Sequence, residues 1–445
     1  MGDIDNPVSP FNVLKFFPAI ANAPVSSALA RRAYSVTPYA KFASDVASGN
    51  LPQISWLLPL ALCSEHPVYT PSDGATYIAA VLDALTANPD VWSKTVLFIT
   101  YDENDGFFDH VVPPTPPENP SFGQSNIDTT GEVYTGDPTH PAGPVGPGPR
   151  VPMFVASPWS KGAWTCSQAF DHTSIIQFLE KRFGVQEPNI SAWRRAVCGD
   201  LTSAFDFTNP NASAIVVPPT TGLSAAAIAQ STLPLPSVPA TQTQPQQERG
   251  SRNARALPYE LYVDAVDNAL NGTVQLTFMN TGTVAAVFQV YSAIAPTSMK
   301  RYTVTANSKL SDTWAWQTSA STSIAYDLTV VGPNGFLRRI VSAGSVTASQ
   351  AATACYEISQ GDLELNLSNA GKAPATFTIT DNRYGVAPKN VAVAAGQTVQ
   401  AAWSLSASKR WYDISITSST DARFLRQFAG YVETGAAGVT DPSMA

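Results

Sequence analysis

Charge is in short supply in this sequence. Only 13% of the residues are Asp, Glu, Lys or Arg, against 44% hydrophobic, and the net charge is −8. Basic residues meet only in short pairs such as Arg31-Arg32 and Arg194-Arg195. A nucleic-acid backbone is held by a basic stripe, so nucleic acid is not an expected partner. Cysteine is as sparse. Cys63, Cys166, Cys198 and Cys355 are widely scattered, which excludes a CxxC metal or redox pair and makes any disulfide long-range. Cys166 with Cys198 is one reading, and free thiols are the other. Long apolar runs are also missing. The most apolar stretch, Ile54 to Leu62, is broken by Pro59 and is far shorter than the roughly 20 residues that cross a bilayer, so no transmembrane segment is expected. Asp3 and Asp5 stand where an export signal carries bases, and no apolar core follows them, so no signal peptide is read.

What is present divides the chain. At 445 residues it exceeds one compact core, and two or three domains are expected. Residues 1–212 alternate helical and strand patterns. Gly74 to Ala87 has helical spacing, with Ile78, Val81, Leu82 and Leu85 on one side, and leads into an apolar strand, Thr95 to Thr100. A second buried strand is expected at Val151 to Ala156, and a helix at Thr173 to Phe183 with Asp171 as its N-cap. Such alternation favours a largely parallel sheet. Pro113 to Pro149, rich in Pro, Gly, Thr and Asn, reads as a long loop acting as a lid or binding loop. Residues 213–257 are rich in Pro, Ser, Gln and Ala and read as a linker.

Beyond the linker the pattern changes to period two, as in Thr273 to Phe278 and Leu363 to Leu367, the mark of half-buried antiparallel strands. An internal repeat is visible. Asn280-Thr281-Gly282 matches Asn369-Ala370-Gly371, and Trp314 matches Trp403, both at a separation of 89. Tyr326-Asp327 matches Tyr412-Asp413, and Phe336-Leu337-Arg338 matches Phe424-Leu425-Arg426. Two copies of one small β-sandwich, residues 258–347 and 351–436, are expected, with the repeated aromatics filling two cores rather than contacting sugar or lipid.

Chemistry is concentrated in Thr100-Tyr101-Asp102-Glu103-Asn104-Asp105-Gly106-Phe107-Phe108-Asp109-His110. Four carboxylates and an imidazole follow a buried strand directly, and ligands of open α/β sheets bind beyond the carboxyl ends of strands. Crowded carboxylates are relieved by a cation, and hard divalent ions take oxygen ligands. The plainer reading is a solvated acidic turn.

This string resembles the signature of the phosphoesterase family that includes bacterial phospholipases C and acid phosphatases, a branch similar to the alkaline phosphatases. Ser64-Glu65-His66-Pro67, Gly148-Pro149-Arg150-Val151-Pro152, Phe170-Asp171-His172-Thr173-Ser174 and Cys198-Gly199-Asp200-Leu201-Thr202-Ser203-Ala204-Phe205-Asp206 carry the likeness further. With the tandem β repeats, the chain resembles the phosphocholine-specific, non-hemolytic phospholipase C branch. The resemblance implies an α/β fold, part of an alkaline-phosphatase-like catalytic domain, followed by two small all-β sandwich domains. It implies hydrolysis of phosphatidylcholine-like phosphodiesters at a membrane surface to diacylglycerol and phosphocholine, in a secreted or periplasmic protein. The alternatives are an acid phosphatase acting on monoesters and a noncatalytic fragment whose β modules bind lipid or a partner. By position, Asp102 and Glu103 resemble ligands of a divalent metal, His66 and His110 resemble catalytic imidazoles at the phosphate, and Arg150 and His172 resemble substrate-binding residues. Arg150 pairing with an acidic neighbour and Asp171 capping a helix are the bland readings of the last two. Aromatics near the motifs, Trp56, Tyr69, Tyr101, Phe107, Phe108, Trp159 and Trp164, are candidates to face a quaternary ammonium. The family's nucleophile and remaining metal ligands belong to an ENRSFDH-like string that does not occur in these residues, so the chain is expected to be truncated at its N-terminus and to hold only the acceptor half of the site.

Overall fold

The computed structural model describes all residues except 1–12, 35–38, 68, 105, 107–108, 215, 236, 244–248, 317–323, 345–349 and 445. In chain order come helices α1 (Tyr39–Ala47) and α2 (Pro71–Thr86), strand β1 (Leu97–Thr100), and the short strands β2 (Gly123–Ser125), β3 (Val133–Tyr134) and β4 (Gly143–Pro144). Strand β5 (Met153–Ala156) and helices α3 (Thr173–Phe183), α4 (Ala192–Val197) and α5 (Leu223–Ser231) follow. The chain forms two compact units. The first holds residues 1–107, 151–161 and 206–245, and the second holds 108–150, 162–205 and 246–445.

In the first unit, Phe42 and Val46 of α1 meet Val81 and Leu85 of α2 and Trp92, with Leu97 of β1 and Ala156 of β5 against them. Asn88 ties this together. Its side-chain amide donates to the Val46 carbonyl at 2.8 Å, and its Oδ1 accepts from the backbone N–H of Asp90 at 3.1 Å. The sheet corrects an expectation. β1 and β5 run antiparallel, with Leu97 opposite Ala156 and Thr100 opposite Met153. Parallel neighbours need a crossover, usually helical, and none of the described residues between β1 and β5 is α-helical. The 213–257 stretch also differs from a bare linker. Its run Leu223-Ser224-Ala225-Ala226-Ala227 has high helix propensity and forms α5, with Ala227 buried and Ser224 donating to Asp73 of α2 at 3.5 Å.

The second unit is dominated by β structure. After β6 (Asn253–Ala254), the first repeat supplies β7 (Leu261–Asn268), β8 (Thr273–Asn280), β9 (Ala286–Ser292), β10 (Lys300–Val304), β11 (Ser308–Ala315), β12 (Tyr326–Val331) and β13 (Leu337–Ser342). The second supplies β14 (Gln350–Glu357), β15 (Asp362–Asn369), β16 (Ala375–Asp381), β17 (Lys389–Val393), β18 (Gln397–Trp403), β19 (Trp411–Ser418) and β20 (Leu425–Tyr431), and β21 (Gly438–Val439) follows. Each repeat is a sandwich. Sheets β11-β8-β7 and β14-β15-β18 each form one layer, and the opposite layers are joined. Among the described residues that joined sheet has nine strands, ordered β17-β16-β19-β20-β13-β12-β9-β10-β2.

The repeated residues explain the copies. Asn280 and Asn369 donate to the carbonyls of Val284 and Ala373 at 2.8 and 2.9 Å and accept from Gly282 and Gly371 N–H, both at 3.0 Å. Trp314 and Trp403 are each 5% exposed inside the two cores. At the β13–β20 seam, Arg338 donates to the Ala429 carbonyl at 3.0 Å and Arg426 donates to the Val341 carbonyl at 2.8 Å, a reciprocal exchange between the copies.

The 113–149 stretch is not a free lid. β2 adds to the edge of β10 in parallel, Asn126 accepts from Thr305 N–H at 2.9 Å, and Gln289 donates to the Pro113 carbonyl at 2.9 Å. An edge strand offers unpaired backbone groups, and this polar stretch uses them. Trp193 of α4 is fully buried against the same sheet and donates from its indole to Thr303 Oγ1 at 2.9 Å. All four cysteines are free thiols, so Cys166 and Cys198 are not bridged. Cys198 is buried in an apolar cluster, and that burial pushes its thiol well up.

Candidate functional site

On the first unit, β1 ends at Thr100 and delivers Tyr101, Asp102 and Glu103 to its carboxyl end. The Tyr101 phenol donates to Glu65 Oε2 at 2.7 Å. Burial and the Glu65 carboxylate push that phenol up to about 12. This bond staples the Ser64–Pro67 segment to the strand end, and one residue on from its two partners lie His66 and Asp102, both exposed. Glu65 has a positive φ of 63°, and its carboxylate lies over Gly74 of α2. A Cβ at position 74 would sit 2.0 Å from Glu65 Oε1, so the glycine is what lets the carboxylate pass. Ser64 orients the turn by accepting from the His66 N–H at 3.2 Å.

On the second unit, Arg150 grips Asp109 through both the backbone N–H at 2.9 Å and a guanidinium fork, Nε to Oδ2 at 2.8 Å and Nη2 to Oδ1 at 2.7 Å. The fork holds the Asp109 carboxyl far below the usual carboxylate range. The acidic-neighbour reading of Arg150 is therefore realised, although the Arg150 side chain remains 67% exposed. Next to the anchored Asp109 stands His110, exposed.

His172 is also exposed and occupies the position before α3, without a side-chain capping bond. Asp171 is not the cap. Its carboxylate accepts from the Thr173 hydroxyl and from Arg194 Nη1, both at 2.6 Å. Arg194 also donates to Glu132 Oε1 at 2.8 Å and to the Gly146 carbonyl at 2.9 Å, and the side chains of Glu132 and Asp171 are 3% and 4% exposed. A half-buried arginine between two buried carboxylates thus locks α3, α4 and the 132–146 hairpin together, and His172 is presented from that lock.

Asp102 and Glu103 are exposed carboxylates of the kind that hard cations take. They are two donors and not a complete shell. Among the described residues no three His, Cys, Asp or Glu side chains gather closely enough to hold a metal ion. Of the aromatic candidates, Trp56 is 69% exposed, and Trp164 already stacks under Arg255 at 4.3 Å. Phe107 and Phe108 lie outside the described residues, as does Asp105.

The sequence reading passed over Glu65 and Tyr101 as a pair and over the Glu132–Arg194–Asp171 lock. Gly74 within a helical pattern was the one local signal, since a glycine there marks a close approach.

Comparison with known proteins adds a second line of observation. Residues 3–186 match the Phosphoesterase family, and residues 253–341 and 350–431 each match the bacterial phospholipase C, C-terminal domain. The chain is 48% identical to a non-hemolytic phospholipase C of Burkholderia pseudomallei over 90% of this chain and 58% of that protein. It is 47% identical to a non-hemolytic phospholipase C of Pseudomonas aeruginosa over 90% of this chain and 59% of that protein. With a hemolytic phospholipase C of Pseudomonas aeruginosa the identity is 37%, over 97% of this chain and 63% of that protein. The chain thus spans about three-fifths of the length of these relatives.

Proposed function

We propose, from the match of residues 3–186 to the Phosphoesterase family and of both β copies to the bacterial phospholipase C, C-terminal domain, that the chain belongs to the bacterial phospholipase C branch of that family and serves hydrolysis of phosphatidylcholine-like phosphodiesters to diacylglycerol and phosphocholine. The observation that carries the reading is the Glu65–Tyr101 staple, which holds the His66 segment at the strand end that bears Asp102 and Glu103. In this reading Asp102 and Glu103 supply two oxygens to a divalent ion. That ion would lend positive charge to the phosphoryl oxygens, and further ligands would have to complete its shell. His66 and His110 hold or deliver a proton at the leaving oxygen, the general acid–base role that imidazoles commonly fill. Arg150, anchored on Asp109, and His172 face the anionic substrate. No residue described here is assigned as nucleophile.

The tandem sandwiches favour the phosphodiester reading over the phosphatase one, since the phospholipase C C-terminal domain matches both copies. Units of descent are proposed at 1–212 for the catalytic part, 213–257 for the connector, and 258–347 and 351–436 for the β copies. We also propose work at a lipid surface outside the cytoplasm. No helix of the described residues is long and apolar enough to cross a membrane.

The test is release of p-nitrophenol from its phosphocholine ester, with and without added divalent metal, beside p-nitrophenyl phosphate and an Asp102→Ala control. Metal-dependent release from the diester, lost in the control, is expected. Preferential release from the monoester would support the phosphatase reading instead, and no release from either ester would count against activity in this chain.

A further inference from the structure

The two β copies can be compared position by position, and one face of them differs. In the second copy, β16 buries Phe377 and Ile379 in its core and leaves Thr376, Thr378 and Thr380 half-buried on the other side, the alternation of a sheet with one wetted face. In the first copy, Phe288 and Val290 of β9 fill the core in the same way. The other side of β9 carries Val287, Gln289 and Tyr291 in place of the three threonines, and Val287 and Gln289 are 5% and 4% exposed. The neighbouring strands repeat the contrast. Thr303 of β10 is fully buried, whereas its counterpart Ala392 of β17 is exposed. The sandwich itself does not require a buried outer face, because the second copy folds without one.

What covers the first copy's outer face is the chain that bears His110, Arg150 and His172. Val287 packs with Trp193 and Val197 of α4, and the Trp193 indole donates to Thr303. The Gln289 amide donates to the carbonyls of Val112 and Pro113 at 3.3 and 2.9 Å, and its Oε1 accepts from the Tyr291 hydroxyl at 2.6 Å, which aims the amide. His110 therefore stands between two clamps. Before it, Asp109 is held in the Arg150 fork and also accepts from the Val111 N–H at 3.2 Å. After it, Val112 and Pro113 are held by Gln289. The next residues lean on Gly146, where a Cβ would stand 2.8 Å from the Pro114 carbonyl oxygen and 2.5 Å from Thr115 Cγ2. The Gly146 carbonyl in turn accepts from Arg194, whose partner Asp171 precedes His172.

We propose that Gln289 is a positioning residue for His110, and that the outer face of the first β copy is the bed on which the second unit's share of the phosphoester site is laid. The inference rests on the role given above to His110. A group that acts on a leaving oxygen must reach it from one place, and a misplacement of about 1 Å costs on the order of 100-fold in rate. The internal repeat supplies the natural control. Gln289→Thr installs the residue that the second copy carries at the same place, Thr378, and its side chain is too short to keep the bond to the Pro113 carbonyl. Tyr291→Phe leaves Gln289 in place and removes only the hydroxyl that aims its amide.

The chain has four histidines, so NMR of the full chain with labelled histidine rings tests this, His110 being identified by the signal lost in His110→Gln. In Gln289→Thr the His110 signal is expected to shift and to narrow toward that of a freely turning ring, and in Tyr291→Phe to move the same way by less. His66, in the first unit, is expected to keep its signal. Turnover of the p-nitrophenyl phosphocholine ester is expected to fall on the order of 10- to 100-fold in kcat in Gln289→Thr, with KM changed by less than about twofold. An unmoved His110 signal in the folded variants, an equal shift of His66, or an unchanged kcat would each overturn the positioning role. Tyr291→Phe decides the matter if Gln289→Thr does not fold. No turnover by the wild type would overturn the proposed reaction instead, and the ring signals would still show whether Gln289 places His110.

Discussion

Tyr101 and Glu65 are thirty-six positions apart, yet their bond is what brings two motif strings to one place. Tyr101→Phe removes only the donor, and a hydrogen bond to a charged group is worth about 1.5–3 kcal/mol. Half-exposure reduces that, so a loss of about 1 kcal/mol in urea unfolding is expected. The phenol's raised pKa sets the pH window. The stabilisation is present below pH 10 and is lost as pH rises through about 12, which absorbance titration of tyrosinate reads directly. Asp109 has the opposite sign. Its depressed pKa means that the Arg150 pair stabilises the fold above the ordinary carboxylate range and that this is lost as pH falls. In Arg150→Ala, the Asp109 carboxyl measured by NMR is expected to return toward its ordinary value. Arg150→Lys restores the shift only in part, because an ammonium cannot span both oxygens. At this scale the sequence marked Asp102 and Glu103 through their clustering beside a strand, and His66 only through the family resemblance of the Ser64–Pro67 string. It could not mark Glu65 as their fastener, because nothing local distinguishes a solvated glutamate from one held 2.7 Å from a distant phenol.

Among the elements, α2, β1, β5 and α3 lie where their apolar periodicity puts them, and the period-two strands of the repeats do too. Periodicity carries no information about strand direction, which is why the β1–β5 pair was misjudged as parallel. Composition misled in the same way at 113–149. Polar, proline-rich sequence reads as a free loop, but its backbone and Asn126 find partners on β10. α4 joins the same sheet through Trp193. Trp193→Ala is expected to cost about 3–5 kcal/mol, the range for deleting a fully buried large aromatic, with the loss appearing in denaturant midpoints. Arg338, 2% exposed between the two copies, is a second such point. Arg338→Ala leaves the Tyr356 and Tyr412 hydroxyls short of a donor and is expected to destabilise the joined sheet by a few kcal/mol.

For the whole molecule, the internal repeat was the most legible feature, because the same asparagine brackets, tryptophans and arginines recur for the same structural reasons in both copies. The division into units was not legible. Each unit is assembled from separated segments, and His66, Asp102 and Glu103 belong to one while His110, Arg150 and His172 belong to the other. In the proposed function the metal ion is taken by Asp102 and Glu103 of the first unit, and two carboxylates become a useful site when substrate oxygens add to the shell. The decisive measurement is therefore calorimetric titration of the chain with Mn²⁺, with and without phosphocholine, in wild type and Asp102→Ala. Saturable metal binding that phosphocholine strengthens and Asp102→Ala abolishes is the predicted result. No binding, or binding that is unchanged in Asp102→Ala, would contradict the assignment of this motif as the phosphoester site.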